Sequence, residues 1–563
     1  MSKTIPILAP DSDIEPTTSR FADALRNSGF RGDLEQQLSS RLALATDNSI
    51  FQILPDLIVL PKDESDVILL GKTMAKTEFQ SVVVTPRGGG TGTNGQSLNH
   101  GVVVDFSRYM TNILEINVDE GWARVQSGVV LDQLNRALKP LGYFFSPAVS
   151  TSSRATIGGM MSNDSSGKGS MVYGKTSDHV LGMNFILSDG SLLKTKPFID
   201  QDELAALKAR KDRTGSILSC LDEVVTEHSD EIERVFPKMN RFMSGYNLLH
   251  LRDEKQRLRL NYLISGSEGT LGLCTEIKVN LTPIPKHSRM VAIMYRDFDS
   301  ALRCAKSLAE TRPEAVETID DKIMSMARED AVWQKVAHLM DRKPDEEAVM
   351  AVNFVEYVGD DKSRVDQDIE RLVGELENDH FKGVVGYIQA DDPADIAGLW
   401  ELRKKGVGLL GAVKGDKKPV AFVEDTAVPP ENLADFIVQF RALLESHSLD
   451  YGMFGHVDAG CLHVRPALDL TLLEDQKLVK TISDQVADLV LKYGGVMWGE
   501  HGRGIRSEYS PQFFGPILHQ QLRKIKQAFD PKNQFNPGKM VSPLEMGDLT
   551  YKIEDTALRG QLD

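Results

Sequence analysis

The loop Pro86-Arg87-Gly88-Gly89-Gly90-Thr91-Gly92-Thr93-Asn94-Gly95 restricts the fold mainly through the segment that succeeds it in the chain. Gly90, Gly92 and Gly95 match the G-x-G-x-x-G spacing in form, but that fingerprint needs a helix next, with its N-terminus on the pyrophosphate. Here Gln96-Ser97-Leu98-Asn99-His100 leads into a second valine-rich strand over residues 101–106, so a nicotinamide-type Rossmann unit is excluded. A glycine loop between strands still offers successive unhindered N–H groups, which together form an anion-binding nest.

Around this loop the pattern alternates. Residues 56–61 read as a buried strand, 65–78 as a helix and 81–85 as a strand, a β-α-β start that implies a parallel pair. Residues 113–130 read as a hairpin and 131–138 as a helix. Strands come next near 184–187 and 272–281, with helical periodicity over 203–228 between them. Thr282-Pro283-Ile284-Pro285 marks a boundary. Beyond it come a strand at 290–295, a helix at 299–310, a strand at 348–357 and a helix at 363–377. The fold class expected is therefore α+β.

With 563 residues the chain is too long for one core, and roughly three or four units of about 150 residues are expected. The net charge of −16 argues against nucleic acid as a partner, since phosphate contacts need a basic face. It leaves room for a small anionic substrate held by a few local cations. Cys220, Cys274, Cys304 and Cys461 are far apart with no C-x-x-C pair, so no iron–sulfur cluster is expected within the chain. The N-terminus lacks the apolar run of a signal peptide, and no stretch is long and apolar enough to span a bilayer. A cytoplasmic location is expected.

A second glycine- and hydroxyl-rich region runs over residues 146–174. Its Ser166-Gly167-Lys168-Gly169 hints at a P-loop but fails twice, at Ser162 and at Gly169, so it is read as a long functional loop.

Two motifs carry the chemistry: Gly455-His456-Val457-Asp458-Ala459-Gly460-Cys461-Leu462-His463 and Trp498-Gly499-Glu500-His501-Gly502-Arg503-Gly504. Two neutral imidazoles and a carboxylate (His456, His463, Glu500) are a common ligand set for a divalent metal that keeps open positions for substrate. His501, next to the carboxylate, is placed to accept a proton from whatever the metal binds.

These motifs, with P-R-G-G-G-T-G, A-T-I-G-G-M-M-S-N, Y-G-K-T-S-D-H-V, G-S-E-G-T-L-G and N-P-G-K, resemble those of the vanillyl-alcohol-oxidase-type flavoproteins. Within that group they are similar to the branch holding D-lactate dehydrogenase, the glycolate oxidase subunit and D-2-hydroxyglutarate dehydrogenase, over residues 50–543. The resemblance implies a two-subdomain PCMH-type FAD domain at 51–284 after a leader and helical segment at 1–50. It further implies a cap domain on an antiparallel sheet at 285–515, a segment returning to the FAD domain at 516–543, and a tail or linker at 544–563. Pro86, Arg87, Gly88, Gly89, Gly90, Thr91 and Gly92 would surround the FAD pyrophosphate. Ser150, Thr156, Gly158, Gly159, Asn163 and Gly167 would line the cofactor, and Asn536 would return near the flavin. No histidine stands in the first loop, so non-covalent FAD is implied. Arg403 matches a cap arginine that would bind the substrate carboxylate. Lys404, Lys405, Lys414, Lys417 and Lys418 are nearby cations that a solvated stretch explains equally well.

The implied activity is oxidation of a D-2-hydroxy acid, with D-2-hydroxyglutarate favoured and D-lactate or glycolate as the alternative. Zinc or manganese would be the metal, and the electron acceptor or iron–sulfur module would lie outside this chain. An oxygen-using flavin oxidase and a non-catalytic flavin subunit are the other classes to separate, and a homo-oligomer is left open. Two departures stand out. Cys461 replaces the asparagine usual in G-H-x-G-D-G-N-L-H, and no cysteine-rich module comes after the flavin motifs, so the chain is expected to be a fragment or half of a split system.

Overall fold

The computed structural model describes residues 14–559 apart from 244, 344, 379 and 412–414. The first part of the sequence-read leader, residues 1–13, and Lys414 lie outside the described residues. The β-α-β start forms a sheet in which Leu57–Leu60 and Val84–Arg87 flank Val102–Asp105, all three parallel. The crossover between the first two is the helix Glu64–Met74, capped by the Asp63 carboxylate on the N–H groups of Ser65 and Asp66. The strand expected at 81–85 starts three residues later, at Val84.

The leader does not stand apart. Asp33–Glu35 pairs antiparallel with Leu57–Leu60, and Phe21, Leu25 and Phe30 share a buried core with Leu57, Val59, Val84 and Val102. Residues near the other end also pack inward, where Phe51 bridges Leu558 and Ile553 is buried.

A second, antiparallel sheet has the strand order Ile113–Asn117, Trp122–Gln126, Leu273–Asn280, Val180–Ile186, Leu192–Lys194. The second glycine region lies against it and is not purely loop. Thr156 caps the short helix Ile157–Asn163, its side-chain oxygen accepting from the N–H of Gly159. The helical pattern over 203–228 resolves into two helices, Gln201–Lys208 and Arg213–Glu227, separated at Asp212, which caps the second.

The cap is a large antiparallel sheet in the order Val384–Ala390, His287–Tyr295, Ala351–Gly359, Ala315–Ile319, Tyr451–His456, Cys461–Leu468, Lys418–Pro419. Its helices include Lys362–Glu377 and Pro393–Gly411, the second lying against Ala315–Ile319. The chain then returns to the first domain through Ser510–Phe529. Phe535 makes a parallel bridge with Val84, and Asn536 accepts from the Thr85 hydroxyl. Among the described residues no helix is long and apolar enough to cross a membrane.

Candidate active site

The hairpin of Tyr451–His456 and Cys461–Leu468 sets the first two imidazoles. His456 pairs with Cys461 and Phe454 with His463, so the pleat turns His456 and His463 to one face as diagonal neighbours, ring centroids 5.4 Å apart. The turn between them needs Gly460, at φ +67°, where a Cβ would lie 1.8 Å from the Val428 carbonyl oxygen. On the next strand Glu317 sits directly opposite His456 and meets its Nδ1.

Glu500 and His501 arrive on a separate strap. Asp425 holds it by accepting from the N–H of Glu500 at 3.0 Å and of His501 at 2.8 Å. The result is a convergent cluster: Nε2 of His463, His501 and His456 lie 3.0, 3.3 and 3.4 Å from one carboxylate oxygen, Glu500 Oε1. Each Nδ1 in turn faces an acceptor. His456 meets Glu317, His463 the Glu424 carbonyl at 3.2 Å, and His501 Glu424 Oε1 at 3.0 Å. With a proton on each Nδ1, three Nε2 atoms converge on one carboxylate oxygen, an arrangement that repels unless a cation, a metal ion or the imidazoles' own second protons, sits among them. The residues therefore fit a divalent ion. Ligand atoms of Asp425, His463, Glu500 and His501 also lie within 4.8 Å of one another.

The charges agree. Arg241, Arg403, Arg465 and Arg506 face Glu317, Glu424, Asp425, Asp458 and Glu500, four guanidiniums against five carboxylates. Among these residues alone, against the pull of burial, the uncompensated carboxylate charge raises the imidazoles of His456 and His501. Burial works against the charged forms here, yet Arg241 and His456 hold Glu500 well below the usual carboxylate range. Burial pushes Asp425 up to about 6 and His463 down to about 4. It also pulls on His501, but Asp425 and Glu424 outweigh it and raise that imidazole well above its ordinary value.

The glycine loops meet each other and then the strap. A Cβ on Gly88 would lie 2.2 Å from the Thr156 hydroxyl, and one on Gly89 2.1 Å from the Arg154 carbonyl oxygen. Gly158 packs on Ser127, and Gly167 on the Ala148 carbonyl. Pro86 lies beside Gly269, while Arg87, the last residue of the strand, turns its side chain inward to the carbonyls of Leu44 and Thr46 and so braces the loop. Thr91 and Gly92 are half-buried, and the Thr93 hydroxyl is buried without a hydrogen-bond partner among the described residues. This close, glycine-lined cradle with a free polar atom suits a dinucleotide. Ser150 lies exposed in the turn before it.

Gln96 donates to the His501 carbonyl at 2.6 Å and Asn163 to the Glu500 carbonyl at 3.2 Å, so both loops touch the strap directly. Asn536 donates to the carbonyls of Gln96 and Glu268, and the Glu268 carboxylate accepts from the N–H groups of Arg503 and Gly504. Arg403 is buried in the cap, with Nε and Nη2 donating to Glu317 and its guanidinium 4.9 Å from the Phe454 ring centroid.

Glu317, Glu424, Asp425 and Arg241 were missed by sequence reasoning. A signal existed for three of them: acids inside the apolar runs Ala315-Val316-Glu317-Thr318-Ile319 and Phe422-Val423-Glu424-Asp425-Thr426-Ala427-Val428. Arg241 had none.

Comparison with known proteins agrees with this layout. Residues 55–196 match the family described as FAD binding domain, and residues 284–540 that described as FAD linked oxidases, C-terminal domain. The chain is 49% identical over 547 residues to the D-2-hydroxyglutarate dehydrogenase of Pantoea ananatis, covering 96% of this chain and 53% of that one. For the Escherichia coli enzyme of the same name the figures are 47%, 99% and 55%. The chain thus spans about half the length of these curated relatives. It is 25% identical to the glycolate oxidase subunit of Bacillus subtilis, over 87% of this chain and 90% of that one. In fold it is similar to p-cresol methylhydroxylase, with a TM-score of 0.68 at 14% identity over 96% of this chain and all of that one. Sheet order, matched families and relatives coincide: this chain belongs to the FAD-linked oxidoreductases with a PCMH-type FAD-binding domain, closely related to D-2-hydroxyglutarate dehydrogenase.

Proposed function

We propose that the chain oxidises a D-2-hydroxy acid to its 2-oxo acid, with D-2-hydroxyglutarate the favoured substrate. The observation that carries this is the convergence of His456, His463 and His501 on Glu500 Oε1, on a strap that both glycine loops touch. Identity of 47–49% to D-2-hydroxyglutarate dehydrogenases across nearly the whole chain supports the choice of substrate.

The reaction removes the hydroxyl proton and the α-hydrogen with its electron pair. Bound non-covalently, FAD supplies the acceptor for that pair, held by Pro86, Arg87, Gly88, Gly89, Gly90, Thr91, Gly92, Thr156, Gly158, Gly159, Asn163, Gly167, Asn536 and the more exposed Ser150. A divalent ion, zinc or manganese, held by His456, His463 and Glu500, supplies the charge that makes the hydroxyl more acidic.

His501, which Asp425 and Glu424 otherwise keep protonated, takes the hydroxyl proton as a neutral imidazole once a divalent ion in the cluster offsets their charge. Its side chain is 24% exposed against 9% for His456, so it is the imidazole of the cluster that a substrate reaches. Glu424 Oε1 lies 3.0 Å from its other nitrogen as an ionic neighbour, which places a negative charge behind the base. Arg403, beside Glu317 and Phe454, attracts the substrate carboxylate. The electrons leave to an acceptor or iron–sulfur module outside these residues. A cytoplasmic setting is supported by four free thiols.

The test is anaerobic bleaching of the flavin by D-2-hydroxyglutarate, D-lactate and glycolate in turn. D-2-hydroxyglutarate is expected to bleach fastest. Bleaching by D-lactate or glycolate alone would replace the substrate, and rapid oxygen consumption without an artificial acceptor would replace the reaction class.

A further inference from the structure

Arg241 belongs to neither the glycine loops nor the histidine motifs, yet its guanidinium lies between them. It is only 1% exposed, and its three nitrogens are divided three ways. Nη1 meets Glu500 Oε2, Nε donates to the Ser170 hydroxyl at 2.7 Å, and Nη2 donates to the Gly167 carbonyl. Gly167 and Ser170 belong to the second glycine region. Glu500 is the carboxylate on which the three imidazoles converge.

We propose that Arg241 is a positioning residue that couples flavin occupancy of the second glycine loop to metal affinity at the imidazole cluster. The proposal rests on the metal and flavin reading above. Three features of the geometry carry it. Engaging Oε2 fixes the rotation of the Glu500 carboxylate, so that Oε1 is the oxygen left facing the imidazoles. The guanidinium is planar and rigid, so moving Gly167 or Ser170 moves the fork and with it the carboxylate. The backbone of the same residue is tied to the same region, because Asn163 donates to the Glu500 carbonyl at 3.2 Å. In a close-packed interior, a loop held by flavin holds Glu500 ready for metal through these contacts. By linkage, metal must then strengthen flavin binding by the same factor.

The test uses the full flavin-loaded chain with zinc as the probe. Zinc affinity is measured by competition with a chromophoric chelator, and FAD loss is monitored on dilution of zinc-loaded and chelated protein, for wild type, Arg241→Gln, Arg241→Lys and Ser170→Ala. Loss of such a supporting group is expected to weaken zinc about 10–100-fold in both Arg241 variants. Wild type should hold FAD at least about 5-fold more tightly with zinc than without. In Ser170→Ala, which keeps the pair with Glu500 but cuts one tie to the loop, that ratio should fall toward one. Should the Arg241 variants fail to fold, Ser170→Ala decides alone. If wild type binds zinc but neither the Arg241 nor the Ser170 substitution alters zinc affinity or the FAD ratio, the coupling is overturned while the metal site stands. If wild type binds no zinc, the metal reading falls and the coupling with it.

Discussion

Asn163 and Glu500, separated by 337 positions in the chain, are joined by a hydrogen bond of 3.2 Å from the amide Nδ2 to the backbone carbonyl. With Gln96 on the His501 carbonyl, it sets the acid and imidazole of the strap at a fixed distance from the glycine cradle. Hydride transfer needs that kind of constraint, because an error of about 1 Å in placement costs on the order of 10²-fold in rate.

Base and ligands are separable by substitution. His501→Asn keeps a polar side chain of similar reach but accepts no proton, and should slow flavin reduction about 10²–10⁴-fold. Metal and FAD content should stay near wild type. Loss of metal in proportion to activity would make His501 a ligand instead, consistent with its Nε2 lying as near Glu500 as that of His456.

Chelation should stop substrate from bleaching the flavin while most FAD remains bound at spectroscopic concentrations, and a divalent ion should restore bleaching. His456→Ala, His463→Ala and Glu500→Ala should each lower metal occupancy. Full turnover by metal-free protein would demand another mechanism.

Acid precipitation should release intact FAD into the supernatant, since no histidine stands in the first glycine loop. Gly89→Ala should reduce flavin content and cost about 1–3 kcal/mol of stability, because its methyl would meet the Arg154 carbonyl oxygen at 2.1 Å. Flavin staying with the precipitate would contradict the first statement, and an unaltered melting curve the second.

Asp320 gives a pH signature away from the cradle. Burial pushes its carboxyl up to about 7, although it accepts from the N–H groups of Ile323 and Met453. The folded state thus binds this proton more tightly than the unfolded chain, whose value is about 4. Its contribution to stability is fully present below about pH 4 and is lost as pH rises to about 7. Denaturant midpoints at about pH 5 and about pH 8 should therefore differ less in Asp320→Asn than in wild type. An unchanged difference would assign the pH dependence to other groups.

Much of this was legible in local pattern. The strands at Leu57–Leu60 and Val102–Asp105, the helix Leu131–Leu138 and the hairpin over 113–130 arise from periodicity and turn residues. His456, His463, Glu500 and His501 stood out because polar groups among glycines have little packing to explain them. Their supports did not. Glu317 and Asp425 lie 139 and 75 positions from the residues they hold, and Arg241 lies 259 positions from Glu500, spacings that only the sheet order reveals. The shift of the second strand to Val84 has a similar origin, since its partner on one side is Phe535 from the far end of the chain.

That pairing also governs how the molecule is made. The Val84 N–H donates to the Gln534 carbonyl, and the Gln534 side chain donates to the carbonyls of Met74, Phe79 and Val82. A ribosome releases residue 84 hundreds of codons before residue 534, and throughout that interval the strand Val84–Arg87 keeps a bare edge, open to pairing with any neighbouring nascent chain. The nucleotide cradle can close only once residues 534–536 have been made, so the protein should depend on chaperone protection during translation and should refold slowly from denaturant.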